Sequence, residues 1–377
     1  MQKGRSLMKN SFGSSISVTL FGESHGPAIG AVIDGLPPGL KVDRDEIDRM
    51  LGLRRPFGSI STARKEPDEV NILSGVFEGH TTGTPLCISI ANTQQHSRDY
   101  AEGKDLARPG HADFTARMKY HGYEDYRGGG HFSGRLTAAL TAAGAVILPA
   151  LEAKGIRIGT HIARLGGVND RPLAVYEEEL ARDLEALGKM RFAVLDNEAS
   201  EAMQKAIGEA AAEGDSIGGI LETAVTGLPA GIGEPWFDTL EGMIAHGIFS
   251  IPGIQGVEFG GGFGLCDARG SEYNDPFYMD GERVRTCTNN NGGINGGISN
   301  GMPVIFRSAV KPTPSIFKEQ DTVDLADGKD AKLSIKGRHD PAIIHRARIV
   351  VDAVTAIVTA DMLAQRYGTD WLCPQKR

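Results

Sequence analysis

At 377 residues and 40% hydrophobic content, the chain can bury one large core or two smaller ones. Its formal net charge of -8 argues against a nucleic-acid partner, since a non-specific binder carries a basic surface. No run of 18 apolar residues occurs, residues 1–10 lack a signal-peptide core, and Cys87, Cys266, Cys287 and Cys373 form no CxxC pair. Those features disfavour a membrane protein, a zinc site and a disulfide scaffold, and they fit a reducing cytoplasm.

In chain order, residues 1–10 read as a leader. Apolar and polar residues alternate over 14–21, as in a half-buried strand, and 28–34 reads as a second strand closed by the turn Gly35-Leu36-Pro37-Pro38-Gly39. A helix with an acidic start is predicted over 43–51, then strands over 70–77 and 84–91. The helix predicted over 135–153 carries Leu136, Leu140, Ala143, Ile147 and Leu151 on one face, with alanines that permit close packing. A strand over 156–163, helices over 175–187 and 198–213, and a strand over 217–228 follow. The remaining elements are a helix over 236–249, strands over 254–259, 302–310 and 331–336, and a helix over 342–366. No low-complexity linker divides the chain, so 11–377 reads as one domain of mixed α and β elements. The stretch Ile29 to Leu40 faintly echoes Ile217 to Ile232; two related halves, or two chance Gly-Pro turns, would explain it equally well.

Glycine is the outlier, at 50 of 377 residues against a usual share of roughly 7%. The densest cluster, Arg127-Gly128-Gly129-Gly130-His131-Phe132-Ser133-Gly134-Arg135, runs straight into a predicted helix. Backbone N–H groups at such a helix start suit an anion, and Arg135 adds a bidentate partner. Arg135-Leu136 replaces the Lys-Ser/Thr of a Walker A loop, and Ser133 takes the last glycine position of GxGxxG. A plain glycine-rich turn with a helix cap remains the alternative. Arg108-Pro109-Gly110-His111-Ala112-Asp113 and Phe21-Gly22-Glu23-Ser24-His25-Gly26 each hold a histidine on a tight turn. Arg54-Arg55-Pro56 with Arg64-Lys65, Asn289 to Gly297, Lys311-Pro312-Thr313-Pro314-Ser315 and Gly337-Arg338-His339-Asp340-Pro341 complete the set. Singly each segment is weak. Together they place arginines beside glycine turns in an acidic chain, which suits a site for several anionic groups.

In sequence and order, Gly22–Gly26, Arg108–Asp113, Gly128–Arg135, Lys311–Ser315 and Gly337–Pro341 resemble the signature segments of chorismate synthases, from about Ser11 to Leu363. The resemblance implies an α+β fold, a single-domain β-α-β sandwich over 11–377, assembled as a homotetramer. It implies reduced FMN and an anti-1,4-elimination of phosphate from 5-enolpyruvylshikimate-3-phosphate, which gives chorismate. NADPH or a separate flavin reductase would supply the reducing equivalents. By resemblance, His111 is the acid beside the flavin, His25 the acid beside the departing phosphate, and Asp340 the group assisting proton removal. Arg54, Arg108, Ser133, Arg135 and Arg338 match substrate-binding positions, with Arg54 also on the nicotinamide-nucleotide side. His131, Phe132, Ser133, Pro252, Gly253, Gly296, Lys311, Pro312, Thr313, Pro314, Ser315 and Arg338 match flavin-contacting positions. No metal is implied. The arginine loop is one residue short near Ile60, which weakens the expectation of a second nucleotide-phosphate contact, and His131 stands where many relatives have arginine.

Two other classes stay open on sequence alone: an NADPH-using flavin oxidoreductase with the same pocket, and a non-catalytic phosphate sensor built on the Gly128–Arg135 loop. The absence of a dinucleotide fingerprint counts against the first without deciding it. The second leaves His25, His111 and Asp340 unexplained.

Overall fold

The alternating segments resolve into two five-stranded antiparallel sheets in a computed structural model that describes residues 9–58, 60–61, 67–93, 104–174, 177–335 and 339–373. The first sheet runs Ser11–Phe12, Ser17–Gly22, Ala28–Asp34, Leu86–Ala91, Val70–Ser74. The second runs Val168–Asn169, Arg157–Leu165, Gly219–Thr226, Val304–Val310, Ile254–Phe259. The helices are α1 (Arg44–Arg54), α2 (Asp113–Tyr120), α3 (Thr137–Glu152), α4 (Glu177–Lys189), α5 (Asn197–Ala212), α6 (Leu240–Phe249), α7 (Gly270–Tyr273) and α8 (Ile344–Tyr367).

Apart from the short edge strands Ser11–Phe12 and Val168–Asn169, the two sheets have the same strand order, and the chain visits these elements in the same sequence. In each half two neighbouring strands are followed by a helix (α1 or α6), an edge strand, an inner strand and a long helix (α3 or α8). The faint echo between Ile29–Leu40 and Ile217–Ile232 is therefore a structural repeat, with α4 and α5 inserted in the second half. Helix α3 packs on the first sheet, α8 on the second, and the two helices on each other. That is the expected β-α-β sandwich. Helix α3 is apolar enough over Gly134–Glu152 to pass for a membrane span, but 89% of that stretch is buried in the core.

Helices can pack this closely only where a side chain is missing. A Cβ at Gly144 of α3 would stand 2.5 Å from Ala353 Cα on α8. Gly144→Val is expected to destabilise the fold by about 3 kcal/mol, the upper range for overpacking. An unchanged denaturation midpoint would contradict the close crossing.

Four readings need correction. The strand expected over 70–77 stops at Ser74, because Gly75 turns at φ +82° against the Leu86 backbone and Val76–Phe77 pairs with His80–Thr81 instead. The helix expected over 236–249 starts at Leu240, capped by the Thr239 hydroxyl accepting from Gly242 N–H, after a separate turn at Trp236–Asp238. Helix α2 was not legible, since of its eight residues only Ala116 is buried and no apolar stripe forms. The hairpins Phe277–Asp280/Arg283–Thr286 and Gln320–Asp324/Lys329–Leu333 were missed or half seen because they are largely exposed.

One buried charge cluster pins the second sheet. His161 is fully buried, with Nδ1 2.8 Å from Asp170 and Nε2 3.0 Å from Glu222. Burial alone would lower its pKa, but hydrogen bonds to the two carboxylates prevail and raise it. A raised folded-state pKa means that this contribution is complete below the ordinary value of about 6.5. It is lost as pH climbs through the folded value. Asp170 and Glu222 are lowered, again against burial, so their share is present above the usual carboxylate range and lost in acid. On the alkaline side the wild-type melting temperature is expected to fall more steeply with pH than that of His161→Gln. Parallel curves would assign the slope elsewhere.

Candidate active site

The repeat brings equivalent connections to one end of the sandwich. In the first half the connections lead out of α1 and into α3; in the second they lead out of α6 and into α8. At this junction Arg54, the last residue of α1, donates from Nε to Thr137 Oγ1 (2.9 Å) and from Nη2 to the Gly134 carbonyl (2.9 Å). Arg346, in the first turn of α8, donates from Nε to the Arg54 carbonyl and from Nη1 to the Asp340 carboxylate.

The glycine cluster does not form a phosphate cradle of regular helix-start geometry. Gly128, Gly129 and Gly130 all have positive φ (59°, 83° and 52°), so this backbone folds in the left-handed region that favours glycine. The reason lies in what it touches. A Cβ on Gly128 would stand 2.3 Å from the His25 ring, and one on Gly129 would stand 3.0 Å from the His111 ring. The run thus lies against both candidate acids. It is stitched to the His25 turn by Ser24 N–H donating to the Gly130 carbonyl.

His111 is held by its own turn. Its Nδ1 lies 3.0 Å from Asp113 Oδ1, and Asp113 also accepts from Arg108 N, Nε and Nη2. Burial would raise the Asp113 carboxyl, but the bonds from Arg108 and His111 prevail and hold it well below the usual carboxylate range. Nδ1 thus faces both Asp113 Oδ1 and Arg108 Nη2 (3.1 Å), and Nε2 is the nitrogen left to serve a ligand. His131 Nδ1 donates to the Gly22 carbonyl (2.8 Å), which fixes its ring and leaves Nε2 as the second polar atom.

Two cavities meet at His111 and Phe132. The larger, about 690 Å³, is lined by His131, Phe132, Ser133, Pro252, Gly253, Lys311, Thr313, Pro314 and Ser315, with Leu136, Leu140, Ile254 and Ile357 among its apolar walls. The smaller, about 380 Å³, has Arg108, His111, Asp113, Gly129 and His339 in its lining. Lys311 joins the halves: its N–H donates to the Gly253 carbonyl and its Nζ to the Gly110 carbonyl. Most of the expected flavin-contacting residues therefore share one cavity. Pro312 packs beside Gly218 instead, and Gly296 sits in the turn between Ile294–Asn295 and Ile298–Ser299, in neither lining.

The expected substrate residues are less exposed. Ser133 lines the larger cavity and Arg108 the smaller, whereas Arg54 (3% exposed) and Arg135 (8%) are buried around Asp68, whose carboxylate takes Nη1 of both. His25 is also buried, outside both linings. Asp340 is buried and paired with Arg346. Arg338, Arg64 and Lys65 lie outside the described residues. Ile60 is a core residue, and next to it Ser61 Oγ lies 2.6 Å from Nε2 of His345, a ring that burial keeps neutral by pushing its pKa down to about 4. Among the described residues no cluster of metal-ligating side chains occurs.

The family model described as chorismate synthase matches residues 16–364. The chain belongs to the chorismate synthase family. A chorismate synthase of Pyrococcus abyssi is 47% identical over 354 residues, covering 94% of this chain and 97% of that protein. One from Dehalococcoides mccartyi is 46% identical over 362 residues, covering 96% and 98%. A solved structure titled as a crystal structure of chorismate synthase superposes with a TM-score of 0.74 at 29% identity, covering 95% of this chain and 94% of its own. The family is that of carbon-oxygen lyases acting on phosphates, at the last step of the shikimate pathway.

Sequence reasoning missed Asp68, Asn92, Asp113 and Arg346, which hold the chorismate synthase segments in place. Asp113 had a signal, being two residues from His111 in the same turn. Asp68 and Asn92 had none, because their partners are distant in sequence, and Arg346, six residues from Asp340, had no motif to single it out within the predicted helix.

Proposed function

We propose that the chain eliminates phosphate from 5-enolpyruvylshikimate-3-phosphate in the anti-1,4 sense, with reduced FMN held in the larger cavity. The observation that carries this reading is the convergence of both halves of the repeat on one cavity whose lining includes His111 and His131. The donor set fits such a cofactor: Leu136, Leu140 and Ile254 offer apolar walls for a ring system, and Lys311, Thr313, Ser315 and Ser133 offer polar atoms for its heteroatoms and phosphate. When bound, reduced FMN supplies electron density that lets phosphate leave from a carbon framework with no adjacent carbonyl to acidify the hydrogen at carbon 6.

The protein's part is positioning and proton control. His111, its Nδ1 fixed by Asp113, holds a proton at the wall between the cavities. His25 serves the departing phosphate, and Arg135, Arg108 and Arg338 supply positive charge for the substrate's phosphate and two carboxylates. Arg54 contributes by holding the start of α3. Asp340, oriented by Arg346, assists proton removal. NADPH or a flavin reductase keeps the cofactor reduced. Residues 11–377 act as one catalytic domain in a homotetramer, for which exposed Trp236, Phe237 and Phe263 offer apolar contact surface. Cys87, Cys266 and Cys287 form no disulfide, in keeping with work in the cytoplasm.

The test is the visible spectrum of the protein with reduced FMN, without oxygen, before and after substrate is added. A spectral change that needs substrate, with phosphate release and no NADPH consumed per turnover, is expected. Stoichiometric NADPH consumption would favour an oxidoreductase.

A further inference from the structure

Between His25 and Arg135 stands one side chain that touches both sides of the gap. Asn92 is the first residue beyond the strand Leu86–Ala91. Its Nδ2 donates to the Glu23 carbonyl (3.0 Å) and the Gly26 carbonyl (2.9 Å), the two ends of the turn that carries His25. Its Oδ1 accepts from Arg135 Nε at 3.2 Å. Its backbone N–H donates to the Pro27 carbonyl, closing the same turn. Arg135 is gripped in turn by Asp68, which also holds Arg54.

The repeat gives this position a counterpart. Lys311 is the first residue beyond Val304–Val310, the strand equivalent to Leu86–Ala91, and it also reaches a carbonyl of a histidine turn, that of Gly110 beside His111. Each half thus uses the residue just past its inner strand to fasten one histidine-bearing turn.

We propose that Asn92 is a positioning residue that fixes the His25 turn relative to Arg135, so that the acid and the guanidinium serving the departing phosphate act as one unit. An amide is the group this task needs. Two carbonyl acceptors require two N–H donors on one atom, and the guanidinium requires an acceptor on the other, which no hydroxyl or carboxylate supplies at once. Asn92→Asp keeps the shape but aims an anionic oxygen at two carbonyl oxygens, so it is no substitute.

The inference rests on the proposed roles of His25 and Arg135, and a double-mutant cycle separates the two claims. Turnover and KM are measured for wild type, Asn92→Ala, His25→Ala, Arg135→Ala and the doubles that pair Asn92→Ala with each. Asn92→Ser, which keeps a single donor, is measured as a milder variant, and melting temperatures report folding. Asn92→Ala is expected to lower kcat by roughly 10²-fold, the scale of an ångström-sized misplacement, with a smaller change in KM. Each double mutant should then be within a few-fold of its worse single mutant, and Asn92→Ser should lie between wild type and Asn92→Ala. If His25→Ala and Arg135→Ala stay active, their assigned roles fail. If both lose activity but their losses multiply with that of Asn92→Ala, or if every loss follows melting temperature, the positioning role of Asn92 is overturned.

Discussion

His111→Ala and His25→Ala are each expected to lower turnover by roughly 10²–10⁴-fold, the usual span for a lost general acid. The fold should survive both changes, since each histidine sits on a turn and not in the apolar core. His111 is pinned by Asp113, whose carboxylate stays ionised beside Arg108, so His111→Gln should keep the turn while losing the proton. Glutamine should therefore melt like wild type yet remain as inactive as alanine. Activity within a few-fold of wild type in either alanine variant, measured as phosphate release, would remove that histidine from the mechanism.

Gly128→Ala is expected to be nearly as damaging as loss of His25 itself, at about 10²-fold in turnover. Two costs coincide there: a left-handed φ of 59°, and a methyl group 2.3 Å from the His25 ring, which must move. Gly122→Ala provides the control, because it has φ +81° with no atom within 4 Å of its added methyl. Both variants bear the backbone strain, but only Gly128→Ala displaces a histidine. Equal effects of the two on kcat would mean that strain alone matters and that His25 need not stand where it does.

Much of the fold was legible because its elements have strong periodicity. Leu136, Leu140, Ala143, Ile147 and Leu151 announced α3, and the sandwich followed from the resemblance. The repeat was visible only as a faint echo, since equivalent strands need similar patterning and similar turns but not similar residues. Exposed elements such as α2 and the Phe277–Thr286 hairpin left no apolar signature to read.

At the site, the turns bearing His25 and His111 stood out because glycine and proline mark them. The purpose of the glycine run did not. Read alone, Gly128–Gly130 suits an anion, whereas in the fold it makes room for two imidazoles. Arg54 reads as a ligand for an anion, and its guanidinium also holds Thr137, Asp68 and the Gly134 carbonyl, which the sequence did not suggest. Asp68 and Asn92 carry no local motif. Their importance is set by partners 14 to 69 positions away, a distance that pattern reading does not cross.

The proposed reaction is a lyase step with no net redox change that nevertheless depends on a reduced flavin. Its most direct test is phosphate release from 5-enolpyruvylshikimate-3-phosphate in matched assays without oxygen, supplied with reduced FMN, oxidised FMN or no flavin. Product only with reduced FMN, and no stoichiometric oxidation of it, is the predicted result. Comparable product in all three assays would contradict the account.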